Sequence, residues 1–436
     1  MRRIPIALWT FTILLQAASF SQTDRHNFAG GTDGADPLAD VVLDSSTGMV
    51  YGTTVKGGAS TACTKGCGTV FQIAPSGSGY ATVYAFAGGT ADGANPQAGL
   101  VMDLSGNLYG TTYHGGTHNM GTVFKLTPTG TGTFTESVLH SFGATSTDGK
   151  NPLSSLALDG SGNLYGTTFV GGAKKKGVVF KLTPSGTESV IYTFTGSNGS
   201  EPRAGVVFDG SGNLWGTTSE GGAGFGTVFR LAETSGVWNE TFLYSFAGPP
   251  TDLANPYAGV TIDGLGNVYG TTKFGGPGCT LVSTGCGGVF ELSSSAGFSE
   301  SIIYPFTGES DGAEPIGDLT LAVDTGGYSY LFGTASEGGA TTGSCGAKGC
   351  GSLYELCSLG SSCAGTTPWT ESTVFDFAGK TNGKAPAAGV LVLQPFTPES
   401  FDPLVRPPGH GGCPSGCITT GSAGGSDTDG VIDTSP

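Results

Sequence analysis

The chain has 436 residues, of which only 12% are charged, and it carries 79 glycines and 23 prolines. This is the makeup of a turn-rich β protein. Apolar and aromatic residues recur on a schedule, which excludes a disordered chain, and a formal net charge of −16 disfavours nonspecific binding to nucleic acid or anionic lipid.

Residues 1–21 read as a secretory signal peptide. Arg2 and Arg3 supply the positive start and Ile6 to Leu15 the apolar run. Ala17, Ala18, Ser19 and Ser21 are the small residues of a cleavage site. The apolar run is too short to span a bilayer comfortably. The expected location is therefore outside the cell or in its envelope, with no membrane insertion after signal cleavage.

Residues 22–420 read as one array of tandem repeats. A unit begins with an apolar run such as AGLVMD from Ala98, echoed by AGVVFD from Ala204 and AGVTID from Ala258. A tight turn of the D-x-x-G-N kind follows at Asp103, Asp159, Asp209 and Asp263, where Gly and Asn supply positive φ. The second run ends in Gly-Thr-Thr, with copies ending at Thr54, Thr112, Thr168, Thr218 and Thr272. A loop with a glycine pair comes next, then a third run, GTVFKL from Gly121 and its copies from Gly68, Gly177, Gly226, Gly287 and Gly351. The fourth run ends in aromatic-x-Phe, and a fixed loop of the D-G-A-N-P kind closes the unit, as at Asp92, Asp148, Asn198, Asp252 and Asp311. Short β-branched and aromatic runs between turn residues predict strands, and no segment shows a sustained helical period.

Four antiparallel strands per unit of roughly 50–60 residues is the pattern of an all-β propeller. Phe86, Phe142, Phe194, Phe246, Phe306 and Phe377 are the expected packing between blades. Six units are complete. AGVLVL from Ala388, a worn hairpin over Pro403 to Thr420 and an N-terminal strand at His26 to Phe28 predict a seventh blade closed by the N-terminus, with six as the alternative. Residues 421–436, rich in Gly, Ser and Asp, predict a disordered tail.

Ten cysteines form five close pairs: Cys63/Cys67, Cys279/Cys286, Cys345/Cys350, Cys357/Cys363 and Cys413/Cys417. In an exported chain these predict local disulfides. Zinc at the C-x3-C pairs would need two pairs to meet, and neither has a histidine at finger spacing.

The wording from Asn107 to Leu126 and from Asn163 to Leu182 resembles the GloVer tandem repeat of exported bacterial proteins with varied C-terminal anchors. The resemblance covers nearly the whole mature chain and implies secretion and a propeller-like array. It carries no catalytic residues. The C-terminus shows no apolar anchor, which favours a released protein.

Chemistry is sparse. The D-x-x-G-N aspartates resemble the start of a calcium loop, but position 6 is Leu164 rather than Gly and no acid closes the loop. The turn reading suffices, so no cofactor is expected and no metal site is assigned. His114 and His118 form H-x3-H in a loop, where that spacing has no fixed geometry. The glycine-pair loops of blades 2–4 hold the candidate binding residues His114, His118, Lys174, Lys175, Lys176, Glu220 and Phe225. The expected protein is a monomeric, non-enzymatic binding propeller whose partner is an extracellular polysaccharide or protein. A carbohydrate-active hydrolase or lyase and a structural matrix component are the alternatives.

Overall fold

The computed structural model describes residues 21–279, 281–324, 327–339, 345, 348–358, 369–377, 385–390, 419–420 and 430–435. Five four-stranded antiparallel sheets and a sixth of five strands follow one another along the chain as the blades of a β-propeller. Blade 3 is representative. Its strands Ala157–Leu158, Leu164–Thr168, Val178–Leu182 and Glu188–Thr193 pair in sequence order, with Leu164 opposite Leu182 and Val178 opposite Thr193. No helix among the described residues is long and apolar enough to cross a membrane.

The repeated Gly-Thr-Thr explains how one blade holds the next. A Cβ at Gly216 would lie 2.6 Å from the ring of Phe229, and one at Gly166 would lie 2.7 Å from Phe180, so the phenylalanine of the third strand lies where a side chain would be. The first threonine reaches the following blade. Thr53 Oγ1 donates to Ala98 O at 3.0 Å, Thr111 to Ser154 O at 3.0 Å and Thr167 to Ala204 O at 2.8 Å. Thr217 donates to Ala258 O at 2.7 Å, and Thr334 to Ala388 O at 2.7 Å. The second threonine turns back to its own loop, as Thr218 does to Glu220 O at 2.9 Å.

The outer strand ends in the predicted core phenylalanines, and all six are buried. Each of the first five meets an aromatic ring of the next blade edge to face. Phe86 and Phe124 lie 5.0 Å apart, Phe194 and Phe229 5.1 Å, and Phe306 and Tyr354 4.9 Å. The D-x-x-G-N turns are saturated by protein donors. Asp159 Oδ1 accepts from the backbone of Ser161 and Asn163, while Oδ2 accepts from Asn163 Nδ2 and Tyr165 Oη. The same set recurs at Asp103, Asp209 and Asp263, with Trp215 Nε1 replacing the tyrosine at Asp209.

Six blades, not the preferred seven, are found. The reason lies in how the chain ends meet. The first run from Ala388 is described only to Val390, and the ends form a separate three-stranded sheet instead of a fourfold one. In that sheet Ser21–Asn27 pairs antiparallel with Gly430–Ser435, which pairs with Thr419–Thr420. The segment read as a disordered tail therefore contains a strand, and that strand, not the Pro403 to Thr420 stretch alone, receives the N-terminus. Apart from Thr419–Thr420, that stretch lies outside the described residues. Phe28, Val41 and Phe71 share one buried cluster with Tyr330, Phe332, Phe377 and Val390, and Asp40 Oδ1 accepts from Gly389 N at 2.5 Å. The first and sixth blades are thus joined through one core.

Disulfides Cys63–Cys67, Cys279–Cys286 and Cys345–Cys350 form as expected, and Cys357 is also disulfide-bonded. Cys363, Cys413 and Cys417 lie outside the described residues.

Two substitutions in blade 4 test the blade-to-blade bond. Thr217→Val leaves Ala258 O buried without its donor and should cost about 1–3 kcal/mol. Gly216→Ala forces Phe229 off its rotamer for a comparable cost of about 1–3 kcal/mol. Both should lower the thermal midpoint by several degrees, and an unchanged midpoint in either would remove that contact from the account.

Candidate functional site

The two loop families meet on one face of the propeller. Gly93–Ala94 pairs with His114–Gly115, Gly149–Lys150 with Val170–Gly171, and Leu253–Ala254 with Phe274–Gly275. Single bridges join Ala35 to Lys56 and Ser200 to Glu220 in the same way. Each crossing then enters the channel through a residue of left-handed φ placed just before a proline. Asn95, Asn151 and Asn255 hold φ values of 56°, 56° and 57° there. Asparagine tolerates this region, and its side chain donates to the preceding blade, Asn95 Nδ2 to Val55 O at 3.0 Å and Asn255 Nδ2 to Ser219 O at 2.8 Å.

Acids replace asparagine at three crossings. Asp36, Glu201 and Glu314 hold φ of 56°, 55° and 52°. A carboxylate cannot donate to the carbonyl, and cations stand beside these positions instead: Lys56 pairs with Asp36, and Lys273 Nζ lies 3.4 Å from Glu314 Oε2.

The residue after each proline lines the channel mouth, a cavity of about 400 Å³. At these positions Leu38, Gln97, Leu153, Ile316 and Ala387 are bland and Arg203 and Tyr257 distinct, and Ser336 and Glu337 also line the mouth. The Arg203 guanidinium lies over the Tyr257 ring at 4.2 Å and over Phe169 at 4.8 Å, while its Nε donates to Ser219 Oγ at 3.2 Å. Lys273 Nζ is 5.1 Å from the centroids of both Tyr257 and Phe274. Among the described residues no carboxylate forms an ion pair with Arg203. Its remaining N–H groups are held by stacking and left with charge to offer.

Of the residues expected from sequence, Glu220 belongs to this group. Burial raises its carboxyl above the usual range and Glu201 adds to the rise, while Arg203 and Lys176 oppose it. Asn255 Nδ2 approaches Glu220 Oε1 at 3.5 Å. Lys174, Lys175 and Lys176 are exposed at their loop tip. His118 is exposed, His114 is half-buried, and neither joins a metal-ligand cluster among the described residues. Phe225 packs into the blade 4–5 core, and a Cβ on Gly248 would meet its ring at 2.6 Å. Sequence reasoning missed Arg203, Tyr257 and Lys273. The signal for Arg203 and Tyr257 was present in the single position after each N-P or E-P, which is otherwise apolar or amide, while Lys273 carried no such signal.

The crossing aspartates serve the turns rather than the channel. Asp92 Oδ2 accepts from Ala87 N at 2.6 Å and Tyr84 Oη at 3.0 Å, and Asp252 and Asp311 repeat this with Ala247 and Tyr244, and with Thr307 and Tyr304. A glutamate from the next blade's outer strand faces each pair. Burial pushes Glu136, Glu300 and Glu371 up to about 7, with Asp92, Asp252 and Asp311 adding to the rise, and burial alone does the same to Glu355.

A model of the Gloeobacter/Verrucomicrobia repeat matches residues 10–161 and 131–345. Among solved structures, an ancestral GH74 enzyme is similar at TM-score 0.55 and 11% identity, covering 93% of this chain and 48% of its own, so the chain spans about half of that enzyme. The periplasmic gluconolactonase of Pseudomonas aeruginosa is similar at TM-score 0.43 and 15% identity over 69% of this chain and 81% of that one. A chain of the nidogen/laminin complex is similar at TM-score 0.39 and 16% identity, over 61% and 79%. At these identities the likeness is one of fold. No curated protein matches the chain.

The glutamates set a pH dependence. In the unfolded chain they ionise near the ordinary value of about 4.3, so between there and about 7 the folded protein holds protons that the unfolded chain releases. Stability is greatest below that window and falls as pH rises through it. Asp103, Asp159 and Asp209 act in the opposite sense. Burial alone would raise them, but the asparagine and backbone hydrogen bonds outweigh it and lower them, so their contribution is lost on acidification below about pH 4. The thermal midpoint should therefore peak at about pH 4, where the two effects meet, and drop by several degrees by pH 8. A flat profile from pH 5 to 8 would mean the glutamates are solvated.

Proposed function

The chain belongs to the Gloeobacter/Verrucomicrobia repeat family, and from that premise we propose that it acts outside the cell as a non-enzymatic recognition propeller whose channel mouth binds a carboxylate-bearing polysaccharide. The observation that carries this reading is Arg203, stacked between Phe169 and Tyr257 with no acid paired to it among the described residues. A guanidinium held flat and unpaired suits bidentate binding of a carboxylate. Lys176 adds positive charge near this group in a chain that is otherwise acidic. The cavity of about 400 Å³ matches a short sugar segment rather than a folded partner. The leader-like N-terminus and the disulfides support an oxidising, extracellular setting.

One rival rests on Glu201 and Glu220, two carboxyls beside Arg203 of which the second is raised. A raised acid beside a cation is an arrangement used by hydrolases and lyases.

The test titrates the mature protein with oligouronates and with neutral cello-oligosaccharides by calorimetry, and analyses the supernatant by mass spectrometry. Binding of the oligouronate alone, weakened at least tenfold by Arg203→Gln, is expected. Equal binding of neutral chains, or no effect of the substitution, would overturn the assignment of the mouth. New fragments absent with boiled protein would establish the enzyme reading.

A further inference from the structure

Three junctions between outer strands follow one design, and the junction of blades 2 and 3 departs from it. Where blade 1 meets blade 2, Tyr84 Oη reaches Asp92 Oδ2 at 3.0 Å beside Glu136. Tyr244 with Asp252 and Glu300, and Tyr304 with Asp311 and Glu371, repeat that set. In each, the phenol hydroxyl fills the space between two carboxyls. Where blade 2 meets blade 3, the tyrosine is replaced by His140, facing Asp148 and Glu188.

Imidazole is shorter than phenol, so nothing occupies the place of the hydroxyl. His140 Nε2 stands 3.6 Å from Asp148 Oδ1, which is beyond a hydrogen bond. His140 Nε2, Asp148 Oδ1 and Glu188 Oε1 are all buried without a hydrogen-bond partner. At the Tyr84 and Tyr244 junctions only the glutamate oxygen, of Glu136 or Glu300, is left so. Asp148 is 6% exposed, and its other oxygen is fixed by Gly143 N at 2.7 Å and Ala144 N at 2.9 Å, which aims Oδ1 into the gap. Phe142 packs edge to face against the imidazole at 4.7 Å and holds its plane. Three orphaned buried donors and acceptors at one point are rare in native proteins and call for an explanation.

We propose that His140, Asp148 and Glu188 bind a single transition-metal dication, which takes the position the tyrosine hydroxyl holds in the sister junctions. The three ligand atoms lie within 4.8 Å of one another, a span that metal bonds of about 2 Å close with modest side-chain rotation. One neutral imidazole and two carboxylates neutralise a dication. An imidazole ligand and only three protein donors favour zinc, cobalt or manganese over calcium, which takes six to eight oxygens. His140 is 17% exposed although its Nε2 is buried, so a small movement of its side chain admits the ion and the water that completes its coordination. The ion would clamp the outer strands of blades 2 and 3, the interface next to the sector that carries Arg203.

The experiment is calorimetric titration of the untagged, chelator-treated mature protein with zinc chloride, repeated with calcium chloride. His140→Tyr is the decisive variant, because it installs the residue of the sister junctions and should fold, as a circular-dichroism melt checks. Wild type should bind one zinc with an affinity at least a hundredfold tighter than His140→Tyr, and Glu188→Gln should weaken it at least tenfold. Zinc should also raise the thermal midpoint of the wild type and leave that of His140→Tyr unmoved. No zinc binding by wild type, calcium binding as tight as zinc, or zinc binding retained in either variant would overturn the site. None of these results depends on what the channel mouth binds.

Discussion

The structure hangs on a buried hydrogen bond that leaves each blade for the next. A four-stranded sheet of this size cannot bury both of its faces. It becomes stable only when a neighbour covers it, and the first threonine of Gly-Thr-Thr fixes where that neighbour sits. The glycine before it lets the phenylalanine of the third strand lie flat against the second, and the phenylalanine ending the outer strand then meets the next blade's ring edge to face. Thr167, Gly166 and Phe180 are one device in blade 3, and Thr217, Gly216 and Phe229 are the same device in blade 4. Because the acceptor is a backbone carbonyl, the bond constrains position without constraining the side chain there.

That freedom explains where chemistry can enter. The repeat specifies the backbone at each crossing and leaves a few side chains unspecified. At the residue after the proline, five positions are bland while Arg203 and Tyr257 are not. At the outer junctions tyrosine recurs, while His140 takes its place beside Asp148 and His26 beside Asp33. In both cases an identical frame presents a different group, so the sister repeats act as built-in controls. What stands out against them is local chemistry rather than a change of fold.

The repeat wording made the strands, the turns and the buried phenylalanines legible. Those features arise from contacts within one unit or between adjacent units, and the same letters recur wherever the same contact does. The meeting of the two loop families on one face was legible for the same reason. The closure was not, because the pairing of Ser21–Asn27 with Gly430–Ser435 uses segments that have lost the repeat's wording and join the two ends of the chain. The mouth was half legible. Glu220 was found from its loop, but Arg203, Tyr257 and Lys273 come together only through the ring geometry, from three different units. The His140, Asp148 and Glu188 set was invisible for a further reason. The significance of His140 lies in what it replaces, and the space it leaves is a property of the packed junction.

The pairing of the first described strand with the last also bears on how the molecule is made. During synthesis the N-terminal strand emerges first, and its partner emerges more than 400 residues later. Every blade can assemble against the one before it as the chain appears, but the two end strands can pair only when the last segment has been made. Contacts this distant in sequence form late. A chain lacking its last segment would leave Ser21–Asn27 without this partner strand, an edge that invites association and proteolysis. The end-to-end strand pair thus ties the two extremes of the chain to each other rather than to a blade.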